Sequence, residues 1–563
     1  MKSWNVALCA VSLLLSLSCF VDLGWAGFEL PEGERITNLP HIPRAIPQKE
    51  AYELYDPKIG KNFDVKNFWM RADVRIRPEM RNGVCFGGGA PAGGACNSFG
   101  GFNGAGGASA TSVNGQAGRA NPGRSANDFY VQQWTRLGIG YDLSPDVNFY
   151  MEMIDAAVWG GNGSATNAGN AGDPLNHNGS SVAGAGNGGR LGVRAAYMLV
   201  RNFAGVQGLS VKAGRQYLVF GNHSLFGHFD WANTGYSHDG VMLQYATKAF
   251  DTYVGWFRHS ETDLAQGAPV GSLTGNVAAA GFGGPDATAD ANMFLFYNQI
   301  KSVPGFLIEP FYVYYDNNIH ESFNTAQGLG TPKKAQQRRH MVGNRIEMRK
   351  GNWDFINETA WQFGSMSDGL GTDNQRNVHI NAWATRNWFG YTWFQHEWKP
   401  RFAVGFDYAS GDGNANCAVG GTAQAGYACR SGNTFENFFP TNYIHAGYML
   451  NAAWRNSIQP QVNIQARPTR QDHIEFWGQM HYLPNARDNW YRGAQGVLVF
   501  SRPDNTSNYV GSETDFAWTH MFMDGKVSLT ATYGHFFVGE YVRNNLGTNR
   551  DQDWGILQLW MNF

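Results

Sequence analysis

Between Phe68 and Arg81 the chain changes chemistry at every residue. The even positions are Phe68, Met70, Ala72, Val74, Ile76, Pro78 and Met80; the odd ones are Trp69, Arg71, Asp73, Arg75, Arg77, Glu79 and Arg81. Successive side chains of a strand point to opposite faces, so this segment has one apolar face and one charged face. A wall between lipid and water needs that division. A soluble sandwich shows the same alternation with its charged face outside, so this strand alone leaves both architectures open. The period recurs. Val342, Ile346 and Met348 oppose Arg345, Glu347 and Arg349; Trp353, Phe355, Trp361 and Phe363 oppose Asp354, Glu358 and Gln362. Val462 and Ile464 oppose Gln461, Asn463 and Gln465; Ile474, Phe476, Met480 and Tyr482 oppose His473, Glu475, Gln479 and His481. About 18 such segments have the roughly 9–11 residues that a tilted spanning strand requires.

The remaining chain fits a single large β structure. Aromatic residues make up 14% and charged residues only 16%, against roughly 25% charged in soluble domains. Past the first 26 residues no apolar run reaches the roughly 20 residues of a spanning helix. Short turns such as Leu143–Asp146 and Met523–Lys526 alternate with long Gly/Asn/Ser-rich stretches at 82–127, 160–190, 261–290, 318–338 and 411–433. Short connections on one side and long ones on the other are the outer-membrane arrangement. The net charge of −2 offers no basic face for nucleic acid.

The ends of the chain distinguish barrel from sandwich. Lys2, the apolar run Val6–Val21 and Gly24-Trp25-Ala26 read as a signal peptide cleaved after Ala26. Residues 27–64 are Pro-rich and irregular, a periplasmic segment ahead of a barrel spanning 65–563. The last strand places Gly555, Leu557, Leu559, Met561 and Phe563 on one face. An alternating apolar strand with a terminal Phe resembles the signal by which bacterial barrels reach their assembly machinery. The expected fold is therefore all-β: a transmembrane antiparallel up-and-down β-barrel of about 18 strands, with long extracellular loops and short periplasmic turns. Its surroundings are outer-membrane lipid and lipopolysaccharide, with periplasmic export partners open. An exported chain meets an oxidising compartment, so Cys85–Cys96 and Cys417–Cys429 are expected to close two loop disulfides, with crossed pairing open.

Five segments in order also resemble a family. These are Gly214-Arg215-Gln216 followed by Ser224–Gly227 and Phe229–Val241, then FDYASGDGN at 406–414, TFENFFPTN at 434–442, ARDNWY at 486–491 and TYGHFFVGEYV at 532–542. They resemble the alginate export porins, which implies an 18-stranded barrel carrying an anionic polysaccharide out of the periplasm. The chain departs from the family pattern at Tyr236 and Met242, where the resemblance implies Arg in many relatives, near the expected constriction.

A barrel of this size encloses water, and its selectivity depends on the charges lining it. The inward basic candidates are Arg71, Arg75, Arg77, Arg136, Arg194, Arg345, Arg349 and Arg467. The inward acids are Asp73, Glu152, Glu347, Asp354, Glu358, Asp407, Glu475, Glu513 and Asp515. Arginine presents a planar donor fork to carboxylates, so the ladder on the first strand suits small anions or a polyuronate. These residues also suit mutual pairing that braces the wall. His223 and His228 read as solvated loop histidines, and no metal site is expected. Ser410–Asn414 reads as a turn at a strand end. It lacks the 12-residue calcium pattern, although calcium in the extracellular loops stays open. GxSxG, HExxH and a phosphate loop are absent from the sequence, so no catalytic set is picked out and no enzyme is expected. The function expected is a passive channel. The alternatives are a sleeve around an electron-transfer or secretion partner and a barrel enzyme.

Overall fold

A computed structural model of the chain describes residues 67–83, 86, 128–160, 191–231, 236–259, 291–317, 320–321, 333–334, 337–367, 377–413, 432–491, 497–499, 501, 505–547 and 550–562. The expected signal peptide (residues 1–26), the segment 27–64, Cys85, Cys96, Cys417, Cys429 and Phe563 lie outside the described residues.

The barrel strands are β1 (Phe68–Asn82), β2 (Asp128–Ser144), β3 (Val147–Gly160), β4 (Leu191–Val200), β5 (Leu209–Gln216) and β6 (His238–Ala246). They continue with β7 (Phe250–His259), β8 (Ala291–Ile300), β9 (Phe306–Asn317), β10 (Gln337–Lys350), β11 (Trp353–Ser367) and β12 (Asn377–Thr392). The last are β13 (Arg401–Ala409), β14 (Ser457–Ala466), β15 (Asp472–Tyr482), β16 (Tyr509–Phe522), β17 (Val527–Val538) and β18 (Gln552–Asn562). Together they form an 18-stranded sheet in which each strand pairs antiparallel with its neighbours in the chain. β18 returns to pair with β1, from Asp73 opposite Asn562 to Asn82 opposite Asp553. Closure removes the sheet edges, which in lipid would leave backbone groups unsatisfied.

The connections alternate without exception. Residues 145–146, 201–208, 247–249, 301–305, 351–352, 393–400, 467–471 and 523–526 join strands at one rim, where β1 starts and β18 ends. The longer connections lie at the other rim. In outer-membrane barrels the short-turn rim is periplasmic. The fold is thus the expected meander, and the strand count agrees.

The β1 pattern shows why these segments are strands of a wall. Met70 is 66% exposed on the outer face, while Arg75 and Arg77 are 1% exposed inside. One-residue slippage would exchange the faces and place arginines in hydrocarbon, at roughly 2–4 kcal/mol each near the midplane. The outer face carries a polar cluster between aromatic residues of β11. Asn357 on β11 donates to Asn387 Oδ1 on β12 at 2.7 Å, and the hydroxyls of Thr359 and Thr385 lie 2.9 Å apart. Trp353 and Trp361 flank this cluster on β11.

Candidate functional site

Two long-rim connections do not stay outside. Residues 217–231 and 236–237, between β5 and β6, and residues 432–456, between β13 and β14, fold into the barrel and are almost wholly buried. Their sequences explain the preference. Phe220, Leu225, Phe226, Phe229 and Trp231 on one, with Phe435, Phe438, Phe439, Tyr443, Tyr448 and Trp454 on the other, join the main apolar cluster. Burying each such ring contributes roughly 1.5–3 kcal/mol, which a water-exposed loop would forgo. The segments also pair with each other. Gly227 donates to the Phe439 carbonyl at 2.7 Å, Phe439 to Leu225 at 3.0 Å and Thr441 to His223 at 2.9 Å. His445 Nε2 lies 2.7 Å from the Asn222 carbonyl. Gly221 makes the first turn at φ +55°, where a Cβ would meet Arg345 Cδ at 2.8 Å.

The first inward segment is held by an arginine wall. Arg75 donates to the carbonyl of Asp230, and Arg77 to that of Trp231 at 2.7 Å. Arg77 lies 4.6 Å over the Trp231 ring. Asp230 accepts from Arg136 at 2.8 Å and from Arg194 at 2.9 Å, while Arg194 also donates to the His228 carbonyl. Burial alone would raise the Asp230 carboxyl; Arg136, His228 and Arg194 outweigh it and hold the group below the usual carboxylate range. Arg71 pairs with Asp73, and Arg77 with Glu79 at 2.7 Å. Glu152 accepts from the Tyr150 hydroxyl at 2.5 Å and lies 3.8 Å from Arg136.

Across the lumen the charges form a row. Glu309 on β9 faces Arg345 on β10, which faces Glu358 on β11, then Arg386 on β12 and Asp407 on β13. Opposite signs alternate over five strands, so every neighbour attracts and no like charges meet directly. Arg345 also reaches Glu347 at 2.7 Å, and Arg349 lies 3.8 Å from Glu347. Arg386 binds Asp407 at 2.7 Å and donates to Ser224 of the inward segment at 3.0 Å. Arg401 grips Asp354 with two bonds of 2.6 and 3.0 Å, the bidentate fork that suits a carboxylate.

The second segment rests on carboxylates. Tyr448 donates its hydroxyl to Glu475 at 2.7 Å and its N–H to Asp515 at 3.3 Å; the Met449 N–H reaches Glu513 at 3.2 Å. Gly447, at φ +97°, permits that approach, because a Cβ there would sit 2.0 Å from Glu513 Oε1.

The structure thus brings the acids and all but one of the expected arginines to the interior, where they hold one another and the inward segments. Arg467 is the exception. β14 ends at Ala466, and Arg467 is an exposed turn residue whose N–H bonds the Trp398 carbonyl of the neighbouring periplasmic turn. The period-2 extrapolation ran one step past the strand. His223 and His228 are also not solvated: both are buried, 6% and 2% exposed, because their loop folds inward. Among the described residues no group of His, Cys, Asp or Glu is arranged to hold a metal. Asp412 accepts from the Asn433 N–H at 2.9 Å, and Ser410 Oγ takes the Trp383 N–H, so this stretch serves as a strand-end turn.

Sequence reasoning missed Glu79, Asp230, Glu309, Arg386 and Arg401. Parity marked Glu79, and the turn of inward-facing Val378, Ile380, Ala382 and Ala384 to Arg386 hinted at an apolar interior partner. Asp230 lies in no strand, so parity did not mark it, and it stood only within the family stretch Phe229–Val241.

An interior of this kind, closed by 18 strands and filled from the long-loop rim, can be set beside known proteins. The profile described as "Alginate export" matches residues 180–555. The chain belongs to the alginate export family. This member of the family is an outer-membrane β-barrel of the channel type. In outline it is similar to the crystal structure of Acinetobacter baumannii OccAB1, at 10% identity and a TM-score of 0.48, covering 89% of this chain and 98% of that one. It is also similar to Pseudomonas aeruginosa OpdK with vanillate, at 10% identity and a TM-score of 0.46, covering 88% and 98%. No curated protein matches the chain. At the two positions where this member departs from the family pattern, Tyr236 is buried and stacked on Phe229 at 5.4 Å, while Met242 faces a cavity near the periplasmic rim.

Proposed function

We propose that the barrel is a passive channel for anionic solutes, an exported anionic polysaccharide included. Its path follows the β1–β4 wall and is narrowed by the inward segments. The observation that carries this reading is the convergence of Arg71, Arg75, Arg77, Arg81, Arg136 and Arg194 on one side of the interior, where these six outnumber the five acids Asp73, Glu79, Asp142, Glu152 and Asp230. An excess of one sign in a low-dielectric tube focuses the field and enriches the opposite ion. Charge here acts twice, because the same arginines also hold residues 228–231 in the lumen. A passive pore needs no further chemistry from the wall, and the interior packing against its own segments favours a channel over a sleeve for a protein partner.

The experiment is a reversal potential under a salt gradient in planar bilayers, for the wild type and for Arg75→Ala with Arg77→Ala. The expected wild type prefers anions. The double variant should lose part of that preference and conduct more, since the bonds from both arginines to the carbonyls of residues 230–231 are gone. A cation-selective wild type, or a double variant identical in both readouts, overturns the reading.

A further inference from the structure

The periplasmic side of the barrel contains a cup that the channel reading does not require. It lies where the short-turn ends of β1 and β3–β8 meet the start of the inward segment, and it has a volume of about 350 Å³. Residues 217–220 of the inward segment line it on the side toward the packed interior. Its walls are rings. Trp69 stacks on Tyr150 with centroids 5.4 Å apart and planes within 14°, Tyr197 follows at 5.5 Å from Tyr150, and Phe220 meets Tyr253 edge-on at 5.1 Å. Its charges are of one sign: Arg201 and Lys212 line it, and no carboxylate does among the described lining residues. The Lys212 amine sits 4.1 Å over the Tyr197 ring.

The polar groups of the cup are engaged with one another and with three carboxylates behind it, Glu309, Asp142 and Glu152. Gln244 donates to the Tyr253 hydroxyl at 3.1 Å, that hydroxyl to Gln299 at 3.4 Å, and Gln299 to Glu309 at 2.8 Å. Asn148 donates to Asp142 at 2.6 Å, and the hydroxyls of Tyr150 and Tyr217 both go to Glu152. A sugar ring would bury several hydroxyls here and need a partner for each. A flat ring needs only ring faces, and its carboxylate needs one cation.

We propose that this cup is a binding station for a small flat organic anion, one unsaturated ring carrying a single carboxylate, held between the aromatic faces with its charge on Lys212. The proposal rests on the channel reading and names one class of solute for it. The volume is at the small end of ligand pockets, roughly 300–1,000 Å³, which suits one ring and not a polymer segment.

The test uses the full-length folded barrel, with benzoate as probe and benzyl alcohol and glucuronate as comparators. Isothermal titration in detergent is combined with current block in planar bilayers. Benzoate should bind and block, with both comparators at least about tenfold weaker. Lys212→Met should weaken benzoate by roughly tenfold, the loss of about 1.4 kcal/mol, while Lys212→Arg retains it. If the Met variant does not fold, Gln244→Glu brings a carboxylate to the cup and should weaken benzoate instead. Equal binding of benzoate and glucuronate, or indifference to both charge changes, overturns the site. A barrel that conducts but neither binds nor is blocked by benzoate removes the site and leaves the channel. A barrel that binds benzoate in detergent yet carries no current keeps the site and removes the channel.

Discussion

Replacing Asp230 by Asn keeps the shape of the side chain and removes the charge that Arg136 and Arg194 share. Both arginines are buried, and both bonds are short, 2.8 and 2.9 Å. Breaking a buried pair by neutralising one partner costs about 3–5 kcal/mol. The lower figure applies here, because Arg136 keeps Asp73 at 3.7 Å and Glu152 at 3.8 Å, and an amide oxygen still accepts one bond. About 3 kcal/mol moves the balance between a held and a released inward segment roughly hundredfold, at 1.4 kcal/mol per factor of ten. Single-channel recording reads this directly. Asp230→Asn should spend far more time in a level of higher conductance, and its anion preference should rise, since one lumenal negative charge is gone. Heat-modifiable gel mobility verifies that the barrel itself is folded. An unchanged open fraction together with an unchanged reversal potential in a folded variant would refute the idea that Asp230 latches the segment.

Two further outcomes follow from residues outside that latch. Asp488, in the connection between β15 and β16, accepts from Thr434, Asp412, Asn489 and Tyr491, yet burial pushes its carboxyl up to about 6. A raised folded value means that its contribution is present below about 4 and is lost as pH rises through about 6. Hydrogen exchange around Asp412 and Asn489, corrected for intrinsic rate, should therefore be faster at pH 8 than at pH 5. Asp488→Asn should remove the difference, and pH-independent protection in the wild type would contradict it. On the outer face, Asn357 is 4% exposed beneath its neighbours, and Asn357→Leu exchanges hydrogen bonds worth about 0.5–1.5 kcal/mol each for apolar contact with the side chains that cover it, roughly 1.5–3 kcal/mol. Urea unfolding in lipid vesicles should show a change within about 1 kcal/mol of neutral, or a gain; a loss beyond about 2 kcal/mol would mean that the polar cluster holds β11 to β12 and cannot be replaced by apolar packing.

The period of two was enough to place the wall. β1, β10, β11, β14 and β15 lie where alternation put them, with charged or amide residues inside, because side-chain alternation is a local property of an extended backbone. The rims were legible for a similar reason: short turns and long Gly-rich connections differ in composition and length. The content of the barrel was not legible. Nothing in the sequence turned residues 217–231 and 432–456 inward, and only closure of 18 strands creates an apolar interior worth filling with Phe226, Trp231, Phe439 and Tyr448. That inward turn buried His223 and His228, and gave Arg75 and Arg77 backbone carbonyls to hold. The alternating row from Glu309 to Asp407 needs five strands in register. Register is set by long-range pairing, so the sequence supplied the charges and the tertiary structure chose their partners. Arg467 marks the boundary between the two: its parity was right, but the strand ended one residue earlier, where the chain turned to meet Trp398.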